Sequence, residues 1–346
     1  MGRNICGLVR GALSAAVIAG ALLGPAPLRA QSTTSPPCMS MPRLPIASQD
    51  TDACQKARDL FAFLAPQVGV AVSGGNPLPG DAGSLGGFGK VALSVRMIAV
   101  DGRLPKNSVA LSPGTGAVSE FGAARTAVPI PAADLAIGFF SGFPLGLTNV
   151  GGIDLLVGAT YLPSISRNAF AFEPQGGGFG ASYGVRVGAL QESSIVPGVS
   201  VSWQRRQLPE SDLSYTPSND TLQISSIKVR SNAVRVVISK RLALVGLAAG
   251  VGQDRIASSS SMNAIVNEQV GSTLVRQTVS LSSLRQSVIR NTSFVNASFS
   301  LLVVRIVGEI GWSSKGTLQS PVVNSFGGRQ ANEGYRYGSL GLTARF

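Results

Sequence analysis

From residue 88 onward, apolar and polar positions alternate with period two, regularly enough to assign faces. Val91, Leu93, Val95 and Met97 oppose Lys90, Ala92, Ser94 and Arg96. Ala181, Tyr183, Val185, Val187 and Ala189 oppose Ser182, Gly184, Arg186 and Gly188. Val199, Val201 and Trp203 oppose Ser200, Ser202 and Gln204, and Val295, Ala297, Phe299 and Leu301 oppose Asn296, Ser298 and Ser300. Leu302, Val304, Ile306, Ile310 and Trp312 oppose Arg305, Glu309 and Ser313. Each segment reads as a strand with one apolar face and one polar or Gly-rich face.

Ten strands are expected, near 88–100, 133–142, 150–162, 179–190, 196–206, 221–239, 243–256, 286–300, 302–313 and 334–346. Their connections alternate. Short ones fall at 141–149, 191–195, 240–242 and 300–302, long ones at 101–132, 163–178, 207–220, 257–285 and 314–333. Counting 67–73 and 271–283 as wall strands would raise the number to twelve.

Two architectures share this face pattern. A soluble sandwich turns its apolar faces inward, whereas a transmembrane barrel turns them to lipid. The strands run about 10–14 residues, near the ~9–11 needed to cross a bilayer and longer than the usual ~5–6 of soluble sheets. The polar faces carry Ser, Gly, Asn and isolated Arg rather than dense Lys and Glu. Trp203, Trp312, Tyr161 and Tyr183 lie on the apolar faces, several near strand ends, as an interfacial girdle requires. The expected fold is all-β, an antiparallel transmembrane barrel.

The N-terminal part is different. Residues 1–30 read as a secretory signal: Arg3 and Arg10 precede an uncharged apolar stretch at 11–23, and Leu28-Arg29-Ala30 offers a cleavage site. Residues 31–48 are rich in Pro, Ser and Thr. An amphipathic helix follows at 52–64, with Ala53, Ala57, Leu60, Phe61 and Leu64 on one face and Pro66 as its expected end. A Gly/Pro tract at 74–87 leads to the first strand. Exported chains meet oxidant, so Cys38 and Cys54 are expected to pair and tie residues 31–87 into one helical segment ahead of a barrel at 88–346.

Composition then removes most chemistry. The chain of 346 residues is 44% hydrophobic, only 13% charged, and has no His. A His-ligated metal, a His general base and a Ser-His-Asp triad are therefore impossible. The formal net charge of +12 comes from scattered Lys and Arg, which argues against nucleic acid as a partner. At 83–90 the phosphate-loop pattern has Ser84 where its first Gly belongs, and Gly176-x-Gly178-x-x-Ala181 precedes a strand rather than a helix. Ser225-x-x-Lys228 lies in a strand without the Lys-Thr-Gly partner of penicillin-binding enzymes. No catalytic residue, metal site or cofactor is expected.

At the C-terminus Gly338, Leu340, Leu342, Ala344 and Phe346 share one face. This resembles the signal strand of Gram-negative outer-membrane β-barrel proteins, which ends in Phe and is read by the barrel assembly machinery. The family aromatic eight residues before the terminal Phe is displaced here, from position 338 to Tyr337. The resemblance implies an outer-membrane location, with lipid and that machinery as partners. A tied helical segment ahead of the barrel loosely resembles the layout of the fatty-acid transporter barrels, which carry an N-terminal hatch. It would sit in the lumen, across the periplasmic mouth or outside the wall.

Alternation directs Lys90, Arg96, Arg186, Arg235, Arg290, Arg305 and Arg345 inward against Asp154 and Glu309, with Ser200, Ser202 and Gln204 between them. A net-positive lumen favours anions, so a channel or transporter for small anionic or amphipathic solutes is expected. A filled, non-conducting barrel that displays its loops for adhesion or a structural role is the alternative.

Overall fold

The computed structural model describes residues 47–105, 120–167, 170–216, 221–270, 273–318 and 322–346. One helix, α1 (Ala47–Ser73), precedes ten long strands: β1 (Val91–Pro105), β2 (Ala123–Phe140), β3 (Gly152–Tyr161), β4 (Phe179–Leu190) and β5 (Gly198–Gln207), then β6 (Thr221–Leu242), β7 (Val245–Val270), β8 (Thr273–Leu301), β9 (Val304–Ser313) and β10 (Tyr335–Arg345). Each pairs antiparallel with its sequence neighbour, and β1 pairs with β10 through registers such as Val95 opposite Leu342. The ten strands close into a barrel, so no wall strand is left with an open edge.

The two faces separate as alternation dictates. Leu93, Val95 and Met97 are exposed while Ala92, Ser94 and Arg96 are buried. Trp203, Trp312, Tyr161 and Tyr183 stand on the exposed face, Tyr183 and Trp203 packed edge to face with centroids 5.9 Å apart. Leu340, Leu342 and Phe346 are exposed as well, the last at 69%. Exposed apolar side chains around a closed wall form the belt that meets lipid.

Three details differ from the sequence reading. Residues 257–285 are not a loop: β7 and β8 continue as a paired hairpin up to Val270 opposite Thr273. At ~3.3 Å per residue, a 26-residue β7 measures about 85 Å against a hydrocarbon layer of about 30 Å, so the hairpin projects well past the lipid. Its Ser-rich stretch imitates loop composition, but cross-strand pairing keeps it extended. Residues 67–73 belong to α1 and 273–283 to β8, which leaves ten wall strands and not twelve.

The third difference is the length of α1, which runs through Pro66 to Ser73. A mid-helix Pro costs about 3 kcal/mol by freeing a carbonyl and crowding the preceding turn. Here the turns on both sides are buried, with Phe63, Ala65, Gln67, Val70 and Ala71 all enclosed, and that packing outweighs the local penalty. The helix touches β1, β2, β6, β7, β8 and β10 on their inner faces, so it occupies the lumen. Cys54 is buried on α1, whereas its expected partner Cys38 lies outside the described residues, as does the leader.

The face assignment has a direct test. Leu342→Arg puts a charge on the lipid face and is expected to cost about 2–4 kcal/mol near the midplane, against a much smaller loss for Leu342→Ala. Heat-modifiable gel mobility and urea unfolding in vesicles measure both. Equal behaviour of the two variants contradicts a lipid-facing Leu342.

Candidate functional site: a filled lumen and an apolar cavity

The inner wall changes character along its length. Near the mid-level it is polar, with Arg96, Arg186, Arg206, Arg235, Asp134, Asp154, Asp254 and Glu309 buried. Toward the long-loop end Ile98, Val100, Ile130, Val229 and Ile256 point inward instead. The chain filling the lumen matches both zones. α1 lies against the apolar zone, with Gly69 packed directly on Ile256, where an added Cβ would collide. The irregular stretch that follows, from Gly74 to Lys90, descends through the polar zone to feed β1.

Guanidinium groups buried here need acceptors on several sides, and they find them on both wall and plug. Arg96 pairs with Asp134 at 3.0 Å and donates Nη1 to the Asn76 carbonyl at 2.9 Å. Arg235 pairs with Asp254 at 2.6 Å and donates to the Gly74 carbonyl at 3.1 Å. Arg305 donates to the Gly80 carbonyl at 2.7 Å and to Ser300 Oγ at 3.1 Å. Arg186 pairs with Asp154 at 2.8 Å, and that carboxylate also accepts from the Leu85 amide at 3.0 Å. Glu309 accepts from the Asn76 amide at 3.0 Å and from Asn296 Nδ2 at 3.3 Å. Arg345 pairs with Asp81 of the plug. Ser200 and Ser202 are buried between these groups, and Gln204 donates toward Asp134 at 3.4 Å.

Lys90 is not among them. It is exposed, one residue ahead of β1, because the strand begins at Val91 and alternation has no hold on the residue before it. Arg290 does face inward, but it serves the outer end: it donates to the carbonyls of Ser314 at 2.7 Å and Glu333 at 2.6 Å, with Tyr335 beneath it at 5.0 Å. The acids Asp134 and Asp254 were missed, so the lumen is far closer to neutral than a count of Asp154 and Glu309 suggests. They sit on faces made mostly of Ala and Gly, Ala132-x-Asp134-x-Ala136 and Gly250-x-Gly252-x-Asp254, where no polar row marks the inner side. Arg206 was missed because it closes β5, and it shares Asp134 with Arg96 at 3.1 Å.

The upper end of the plug is tied to the loop between β9 and β10. Asp59 accepts from the amides of Val323 at 3.0 Å and Asn324 at 2.9 Å, from Asn324 Nδ2 at 2.7 Å, and from Gln55 Nε2 at 2.8 Å. Burial pushes its carboxyl up from the ordinary value, against the pull of these hydrogen bonds. One turn on, Phe63 stacks on Phe326 at 4.1 Å, and Phe326 stacks on Phe121 at 4.8 Å.

Between α1 and the wall at this end lies a cavity of about 770 Å³ including its mouth. Phe61, Leu64 and Val68 line it from the helix, and Leu162, Phe172 and Leu213 from the wall and its extensions. Leu64 and Val68, one turn apart, are the half-buried positions in the otherwise buried stretch 59–73 of the helix, and their side chains border this space.

No family model matches the chain, and no curated protein does. Among solved structures it is similar to the outer membrane protease OmpT from Escherichia coli, with 10% identity over 74% of this chain and 96% of that one, at a TM-score of 0.34. It is similar to the translocator domain of the autotransporter NalP from Neisseria meningitidis, with 8% identity over 88% of this chain and 100% of that one, at 0.33. A Pseudomonas aeruginosa FadL homologue gives 8% identity over 74% of this chain and 90% of that one, at 0.26. The barrel assignment rests on the chain's own closed wall and separated faces.

Charge burial makes the lumen sensitive to single deletions. Asp154→Ala leaves Arg186 fully buried without its carboxylate, and a loss of about 3–5 kcal/mol is expected in urea unfolding. Asp101→Ala removes a well-formed pair with Arg125, but that pair stands in water, so little change is expected. Similar losses at both sites refute the dry interior.

Proposed function

We propose that the chain is an outer-membrane channel or transporter for small solutes, held closed by its own N-terminal segment. The observation that carries this reading is the pairing of a lumen occupied by α1 with an apolar cavity beside that helix, at its long-loop end. The apolar belt meets outer-membrane lipid, and the strand ending in Leu340, Leu342 and Phe346 supplies the signal for the barrel assembly machinery. No cofactor takes part. Opening requires α1 and the stretch below it to shift, since between them they fill the cross-section.

The wall's arginines do not give an anion-selective ring while the plug is in place, because Asp134, Asp154, Asp254 and Asp81 hold most of them. Displacing the stretch 74–90 removes plug acceptors from Arg96, Arg235, Arg305 and Arg345, and the open lumen becomes more positive than the closed one. A second reading, a closed barrel that displays its outer surface, is favoured by the projecting β7–β8 hairpin.

Single-channel recording in a planar bilayer under a salt gradient separates the two. Asp59→Ala removes the tie to Val323 and Asn324 and is expected to raise the open fraction several-fold, with an anion-favouring reversal potential. Joining Gly69→Cys to Ile256→Cys by a disulfide is expected to abolish openings until reductant restores them. Silence from the wild type and from Asp59→Ala, in protein with the gel mobility of the folded barrel, rejects transport and leaves display.

A further inference from the structure

We propose that the cavity between α1 and the outer wall binds a neutral, hydrocarbon-like molecule, and rejects anions and carboxylate-headed amphiphiles. This rests on the transport reading for its purpose, but it specifies the solute class independently.

The polar side chains around the cavity are already spent. Two polar side chains border the cavity, and neither is available. Gln67 donates Nε2 to the Phe63 carbonyl at 3.0 Å, and its Oε1 accepts from the Arg103 amide at 2.7 Å. Ser211 Oγ donates to the Pro209 carbonyl at 3.1 Å. What remains facing the space is carbon, from Phe61, Leu64, Val68, Phe172 and Leu213. Three cations on the bordering wall strands are engaged as well. Arg103 donates to the Gly327 carbonyl at 3.1 Å, Arg206 is held by Asp134, and Lys228 pairs with Glu210 at 3.2 Å. A carboxylate or sulfonate entering this space gives up its water and finds no donor, a heavily unfavourable exchange. A neutral apolar solute gains contact with every wall it touches, and an apolar lining of this kind is what small-molecule sites present.

The contrast with the rest of the lumen supports a function over a packing defect. Elsewhere the plug and wall meet closely, to the point that Gly69, Gly75 and Gly80 have no room for a Cβ. The gap opens where Leu64 and Val68 leave the helix half-buried, beside the long loops.

The test uses two dyes that differ by one charge. N-phenyl-1-naphthylamine is neutral, and 8-anilino-1-naphthalenesulfonate carries the same rings with a sulfonate. Each is titrated against the full chain in lipid nanodiscs, with empty discs as the lipid background. The neutral dye is expected to bind saturably at one equivalent and at least about tenfold more tightly than the sulfonate. Leu64→Lys, at a half-buried position that tolerates polarity, is expected to weaken the neutral dye about tenfold and to strengthen the sulfonate. Equal binding of the two dyes by the wild type overturns the solute class. Absence of saturable neutral-dye binding, or binding indifferent to both Leu64→Lys and Val68→Asn, overturns the site. Saturable binding in a chain that never conducts keeps the site and removes the transport reading. Conductance without dye binding does the reverse.

Discussion

A guanidinium enclosed in a protein needs up to five acceptors in fixed directions, and the structure depends on how that need is met. Ten strands close a wall whose inner side carries Arg96, Arg186, Arg206, Arg235 and Arg305, and carboxylates of the wall take part of the fork of the first four. One donor each of Arg96, Arg235 and Arg305 reaches a main-chain carbonyl of Asn76, Gly74 or Gly80, which lie in an irregular stretch with unspent carbonyls. A helix at this level would keep those carbonyls for itself. The chain therefore abandons helix at Ser73 for a physical reason: below it the wall is polar and wants acceptors, above it the wall is apolar and wants side chains.

The cavity beside α1 marks the place where this matching is relaxed. The polar side chains around it are bonded to main-chain groups, so it presents carbon within a lumen otherwise rich in charge. The two zones act differently on a solute, the outer one by removing apolar surface from water and the inner one through paired charges. A solute held by the first meets the second only when the plug moves.

Much of the wall was legible in the sequence because period-two alternation is a local signal. The rows Val199-Val201-Trp203 and Ser200-Ser202-Gln204 need no tertiary knowledge to separate. What escaped were features set by the contents of the barrel. Met97 to Val100 is apolar on both faces, and Ile98 and Val100 are inward because α1 lies behind them; alternation alone assigns neither an environment. Pro66 is an accurate stop signal for a helix in water and a poor one for a helix whose neighbouring residues Phe63, Ala65 and Gln67 are packed inside a barrel. Asp134 and Asp254 were hidden by their Ala and Gly neighbours, small residues that make room for the plug. The cavity had no sequence signature, since its lining is gathered from α1, β1, β2, β6 and the connections after β3 and β5.

The plug is also continuous with the wall. Residues 74–90 join α1 to β1 and, fully extended, reach roughly 50–60 Å at ~3.3–3.6 Å per residue. That leash exceeds the bilayer's thickness, so under the gated reading proposed above α1 leaves its seat without unpairing β1 from β10. Undocking is then a unimolecular event with an effective concentration set by the leash, in the millimolar range for short flexible tethers. Closure needs no second protein and does not depend on how many copies the membrane holds. Each barrel keeps its own time.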